Sequence, residues 1–125
     1  MKILVVEDHP AQLKLAHHVL SDAGHNVSDA AAAELALLAI KRDRPEVILL
    51  DLSLPGMDGL TFVRMLKADT ETADIHIVAI TSYPEAFPKA VALAAGCDAY
   101  LVKPINTREL PSQIGVVANS GKDVD

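Results

Sequence analysis

Four short runs in which every position is apolar punctuate the chain: Ile3-Leu4-Val5-Val6, Val47-Ile48-Leu49-Leu50, Ile77-Val78-Ala79-Ile80 and Ala99-Tyr100-Leu101-Val102. They are rich in β-branched residues and Leu and do not alternate with polar positions. That predicts strands buried on both faces of a parallel sheet. A weaker stretch, Asn26-Val27-Ser28, is half polar and predicts an edge strand. Between the runs lie segments of helical period. Residues 10–23 place Leu13, Ala16, Leu20 and Ala23 on one face, with Pro10 suited to the first turn and Gly24 as a stop. Residues 31–43 group Ala31, Leu35, Leu38 and Ala39, and Pro45 follows; residues 58–68 group Leu60, Val63 and Leu66. Residues 85–95 group Ala86, Ala90, Leu93 and Ala94 before Gly96, and residues 107–118 group Leu110, Ile114 and Val117, with Thr107 as N-cap. The order is (βα)5. With right-handed crossovers this predicts a doubly wound α/β fold with helices on both faces of the sheet.

A length of 125 residues suits one domain, and 3% aromatic content leaves Ala, Val, Leu and Ile to fill its core. Eleven basic against 17 acidic residues give a net charge of −6, which argues against a nucleic-acid or anionic-membrane partner. The single cysteine, Cys97, allows no disulfide framework, zinc finger or CxxC pair and reads as a small packed residue. No apolar run is long enough to span a membrane, and Glu7 ends the first run too early for a signal peptide, so the expected location is the cytoplasm.

In open parallel α/β sheets, ligands bind beyond the carboxyl ends of the strands. The residues closing the apolar runs are therefore the candidate chemistry: Glu7-Asp8, Asp51, Thr81-Ser82 and Lys103-Pro104. Each is ordinary alone, as a solvated turn, a cap or a surface lysine. Together they place three carboxylates, a hydroxyl and an ammonium along one edge. The carboxylates repel one another unless a cation or protons compensate them. Mg2+, which takes oxygen ligands and keeps several waters, is the natural partner. One carboxylate can then serve as nucleophile while Thr81 and Lys103 hold phosphoryl oxygens, which is the chemistry of phosphoryl transfer.

The motifs Val5-Val6-Glu7-Asp8, Asp51-Leu52-Ser53-Leu54-Pro55-Gly56-Met57-Asp58-Gly59, Ile80-Thr81-Ser82, Ala94-Ala95-Gly96 and Tyr100-Leu101-Val102-Lys103-Pro104 resemble the receiver domain of two-component response regulators. The likeness runs from residue 2 to about residue 118. It implies a flavodoxin-like fold with strand order 2-1-3-4-5, a domain over residues 1–120 and a polar tail at 121–125. It implies Asp51 as phosphoacceptor and Mg2+ held by Asp8, Asp51 and the Ser53 backbone carbonyl, with Glu7 behind them. Thr81 and Tyr100 are the implied switch pair. Lys103 is the implied phosphate partner, before a cis bond to Pro104. The implied donor is a phosphohistidine on a histidine kinase or histidine phosphotransfer protein, and the implied output is protein contact through the fourth helix, fifth strand and fifth helix. On this reading the only chemistry is self-phosphorylation and slow self-dephosphorylation, with Ser53 and Tyr83 tuning water access.

The sequence departs from the family at the fourth helix, where Pro84 and Pro88 fall near the start and predict a late or kinked helix. The fifth helix carries one Arg and no Lys, and Ala99 and Ile105 stand where DNA-binding receivers of this kind have an acid and a Phe. The expectation is a stand-alone receiver, monomeric or weakly dimeric, that does not contact nucleic acid. A hydrolase of the aspartate-nucleophile class would want a second Asp where Ser53 stands, and a nucleotide or flavin binder would want a glycine-rich phosphate loop. The remaining alternative is a degenerate receiver that binds partners without phosphate. The five histidines read as exposed or packed, with His9 alone placed to reach the rim of the site.

Overall fold

The computed structural model describes residues 1–120, so the tail expected at 121–125 lies outside the described residues. Strands and helices alternate as β1 (Lys2–Val6), α1 (Pro10–Asp22), β2 (Asn26–Ala30), α2 (Ala33–Arg42), β3 (Val47–Asp51), α3 (Gly59–Ala68), β4 (His76–Thr81), α4 (Lys89–Ala95), β5 (Ala99–Val102) and α5 (Leu110–Ser120). The strands form one sheet in the order β2-β1-β3-β4-β5, with every pairing parallel.

The continuous apolar runs reflect a core split between two faces. Leu4, Val6, Ile48, Leu50, Ile77 and Ala79 point to the face covered by α2, α3 and α4. Their neighbours Ile3, Val5, Val47, Leu49, Val78 and Ile80 point to the face covered by α1 and α5. Successive strand residues alternate sides, so a sheet covered on both faces requires an apolar residue at every position. β2 is an edge strand with mostly exposed positions, as predicted. β5 forms the opposite edge and is only half-buried, with Val102 exposed, whereas its uniform apolar run had predicted burial on both faces.

Four helices differ from the sequence reading in some respect. In α2 the buried residues are Ala33, Ala36 and Ile40, while Leu35 and Leu38 are 51% and 57% exposed. The segment is apolar on nearly every side, so its period carries little contrast, and the small alanines take the position against the sheet. In α4, Ala92 is buried and the predicted face of Ala86, Ala90, Leu93 and Ala94 is exposed. Pro88 is the N-cap of this seven-residue helix, which therefore starts late and with a different phase. The turn leading into α5 is capped by Asn106 rather than Thr107, and the helix itself starts at Leu110: Asn106 Oδ1 accepts from the backbone N–H of Arg108 at 3.0 Å and of Glu109 at 3.2 Å. α1 buries Ala16 and Leu20 as expected, but Ala23 is exposed as its C-cap.

Two glycines have geometric roles. Gly96 ends α4 at φ +123°, and a Cβ there would lie 2.6 Å from Cγ of Lys67. The Lys67 ammonium continues past it to donate to the carbonyls of Ala73 (2.9 Å) and Ile75 (2.8 Å). Gly59 opens α3 directly beneath the turn that follows β3. Its N–H donates to the Leu52 carbonyl at 3.0 Å, and a Cβ would meet Leu52 Cα at 2.6 Å and the Asp51 carbonyl oxygen at 3.1 Å. Both of those atoms are backbone and cannot swing aside. Gly59→Ala is therefore expected to cost about 1–3 kcal/mol through overpacking. A lowered midpoint in thermal unfolding checks this, and an unchanged midpoint contradicts it.

Candidate functional site

The parallel register brings the carboxyl ends of β1, β3, β4 and β5 to one edge of the sheet. Val6 pairs with Leu50, Asp51 with Ile80, and Thr81 with Val102. The residues closing the runs therefore lie along one edge of the sheet, and those from β1, β3 and the segment after β5 meet in one hollow. Glu7 and Asp51 are buried there, at 5% and 2% exposure, while Asp8 is exposed at its rim. One carboxylate oxygen from each of the three lies within 4.8 Å of the others.

Lys103 ties this group together. Its Nζ donates to Glu7 Oε1 at 2.5 Å and to Asp51 Oδ2 at 3.2 Å, and also to Gln12 Oε1. Ser53 fixes the other oxygen of Asp51: its backbone N–H (3.0 Å) and hydroxyl (2.9 Å) both donate to Oδ1. Glu7 Oε2 accepts from the His9 backbone N–H at 3.2 Å. His9 thus meets the site through its main chain, as the N-cap of α1.

The charge balance follows from this packing. Burial, together with hydrogen bonding to Asp51, pushes Glu7 up to about 7 despite the opposing influence of Lys103. Burial by itself would raise Asp51 too, but hydrogen bonding with Glu7 and Ser53 and the Lys103 charge outweigh it and hold Asp51 below its ordinary value. Burial pulls Lys103 down, yet bonding to Glu7 and the Asp51 charge leave it above its ordinary value. Below about pH 7, a protonated Glu7, an ionised Asp51 and a cationic Lys103 make the buried trio neutral. A hard divalent cation could displace that proton, since the donor set is all oxygen with an exposed carboxylate for entry.

Thr81 is fully buried at the end of β4, and its Oγ1 accepts from the Tyr83 N–H at 2.9 Å. Tyr100 is half-buried against the α2–α4 face of the core, and its hydroxyl donates to the Phe87 carbonyl at 2.5 Å. The Lys103–Pro104 bond is cis, and the Lys103 N–H donates to the Thr81 carbonyl at 2.8 Å. Cys97 is buried and its thiol is pushed up to about 11 by burial, in keeping with a packed residue. The sequence reading did not single out Gln12. A signal was nonetheless present, because Gln12 stands one and two turns before Ala16 and Leu20, the buried stripe of α1, where a polar residue calls for a partner.

The chain belongs to the response regulator receiver domain family, whose model matches residues 3–115. It is 34% identical over 113 residues to the DNA-binding response regulator MtrA of Mycolicibacterium smegmatis, covering 90% of this chain and 48% of that protein. It is 39% identical over 105 residues to the response regulator PleD of Caulobacter vibrioides, covering 84% of this chain and 23% of that one. The chain thus spans about half or less of the length of these curated relatives. Among solved structures, the chemotaxis response regulator CheY4 of Vibrio cholerae superposes with a TM-score of 0.84 at 31% identity, covering 93% of this chain and 97% of that one. The receiver domain of the Pseudomonas aeruginosa sensor histidine kinase PA1611, with a magnesium ion coordinated in its active site cleft, gives 0.85 at 29% identity, covering 94% and 97%. No helix among the described residues is long and apolar enough to cross a membrane.

The raised Glu7 carboxyl sets a pH dependence. The native state keeps this proton to about pH 7, while the unfolded chain releases it near 4.5. The stabilisation from this group is therefore complete at low pH and is lost as pH rises through about 7. In a chelator, stability is expected to fall by on the order of 2 kcal/mol across that window. Thermal unfolding of Glu7→Gln, which keeps a neutral group, should lack this slope; an equal slope in both proteins contradicts the assignment.

Proposed function

We propose that this receiver is a phosphoacceptor in which Asp51 takes a phosphoryl group from a phosphohistidine on a histidine kinase or histidine phosphotransfer protein. The observation that supports this most directly is the state of Asp51. It is a buried, ionised carboxylate with one oxygen anchored by Ser53 and the other facing Lys103. Asp8, Asp51 and the Ser53 backbone carbonyl would hold Mg2+, with Glu7 close behind. When bound, Mg2+ neutralises charge on the phosphoryl oxygens.

An Asp51 oxygen attacks phosphorus as the P–N bond of the donor breaks, and the departing imidazole keeps the electron pair and takes a proton. Lys103 donates to the phosphoryl oxygens through an ammonium already held at 3.2 Å from Asp51. Among the described residues the Thr81 hydroxyl is engaged as an acceptor from Tyr83, so its own proton is available to a phosphoryl oxygen. Such a bond at the end of β4 biases the segment carrying Tyr83 and Phe87, and Phe87 is the residue to which Tyr100 is tied. Thr81 and Tyr100 would thereby couple the site to the surface of α4, β5 and α5. Tyr83, Val91, Leu93, Val102 and Val116 are exposed on or beside these elements, which suits output by protein contact. The expected setting is the cytoplasm.

Incubation with Mg2+ and acetyl phosphate tests this through intact mass. The protein is expected to gain one phosphoryl group, and Asp51→Asn to gain none. Labelling of Asp51→Asn to the same extent, or no labelling of the unaltered protein, would remove the reading.

A further inference from the structure

The Lys103 ammonium has three N–H donors and three acceptors within the site: Glu7, Asp51 and Gln12. Two of these are carboxylates of the acidic cluster, and their charge is drawn upon when a divalent cation enters. The third is a neutral amide oxygen on α1, outside that cluster. Its place is set by a helix that packs Ala16 and Leu20 against the sheet. A lysine stem is long and flexible, so a fixed ammonium needs a fixed acceptor. The carboxylates cannot supply one throughout the reaction, because Asp51 becomes an acyl phosphate and both acids lie in the cluster that would face an entering cation.

We infer that Gln12 is a positioning residue for phosphoryl transfer, holding the Lys103 ammonium over Asp51 while the carboxylates that share it change partners. The inference rests on the phosphoacceptor reading above and adds to it a residue that acts only through Lys103. Gln12 touches neither the reacting oxygen nor the phosphoryl group. Its amide oxygen satisfies one ammonium proton and so limits the directions in which the other two point. Without it, the ammonium settles between Glu7 and Asp51, where it competes with the incoming cation and sits poorly for the transferred group.

The test is a double-mutant cycle on the rate of phosphorylation by acetyl phosphate at saturating Mg2+. Gln12→Met keeps length and apolar packing but offers no comparable acceptor, and Gln12→Ala is a second, smaller replacement. Each is expected to slow labelling about tenfold, the scale of one hydrogen bond to a charged group. In a Lys103→Met background the same replacements should change the rate less than about twofold, because the residue has nothing left to position. The inference is overturned if Gln12→Met labels as fast as the unaltered protein. It is equally overturned if the slowing is as large with Lys103 absent, which would mark Gln12 as packing only. Failure of the unaltered protein to label would instead sink the phosphoacceptor reading itself, and the role of Gln12 with it.

Discussion

A single ammonium shared between two buried carboxyl groups underlies the architecture of this site. Glu7 and Asp51 close adjacent parallel strands and are nearly inaccessible to water. Two ionised carboxylates so placed would repel strongly, and burial would penalise each. Lys103 answers one charge, and a proton retained on Glu7 answers the other. The buried trio is thus neutral without any group from outside the chain. A buried cation–carboxylate pair is a weak source of stability in general. Its value here lies in holding charge where water cannot screen it.

The sheet makes that arrangement possible because it is parallel. Every strand presents its carboxyl end to the same edge, so residues far apart in sequence meet without long loops. Glu7 and Lys103 are 96 residues apart and 2.5 Å apart in space. The apolar faces on either side fix the register, since a one-residue slip of β1 would exchange the core contacts of Leu4 and Val5, and one of β3 would send Asp51 to the opposite face. The same alternation that packs the core therefore positions the carboxylates.

Much of this was legible in the chain. Strands covered on both faces leave uninterrupted apolar runs, and the residues closing those runs are the ones the structure gathers. The helices were harder where composition gave no contrast. Between Ala33 and Ile40 almost every position is apolar, so the period could not show that alanines rather than Leu35 and Leu38 meet the sheet. In α4 the prolines were visible, but not that Pro88 would become the cap and leave only seven helical residues. Asn106 and Thr107 are both capable caps, and tertiary placement chose the first. Gln12 was overlooked because its neighbours in the buried stripe, Ala16 and Leu20, read as ordinary core.

The two ends of α4 are held very differently. Its carboxyl end is wedged: Gly96 lies against the Lys67 stem, and Cys97 is buried just beyond. Its amino end follows a run of turn residues and is tethered through the carbonyl of Phe87 by one tyrosine hydroxyl. Phe87 itself packs against the core, so the amino end is anchored through a residue that precedes the helix, while the carboxyl end is anchored at the helix terminus itself.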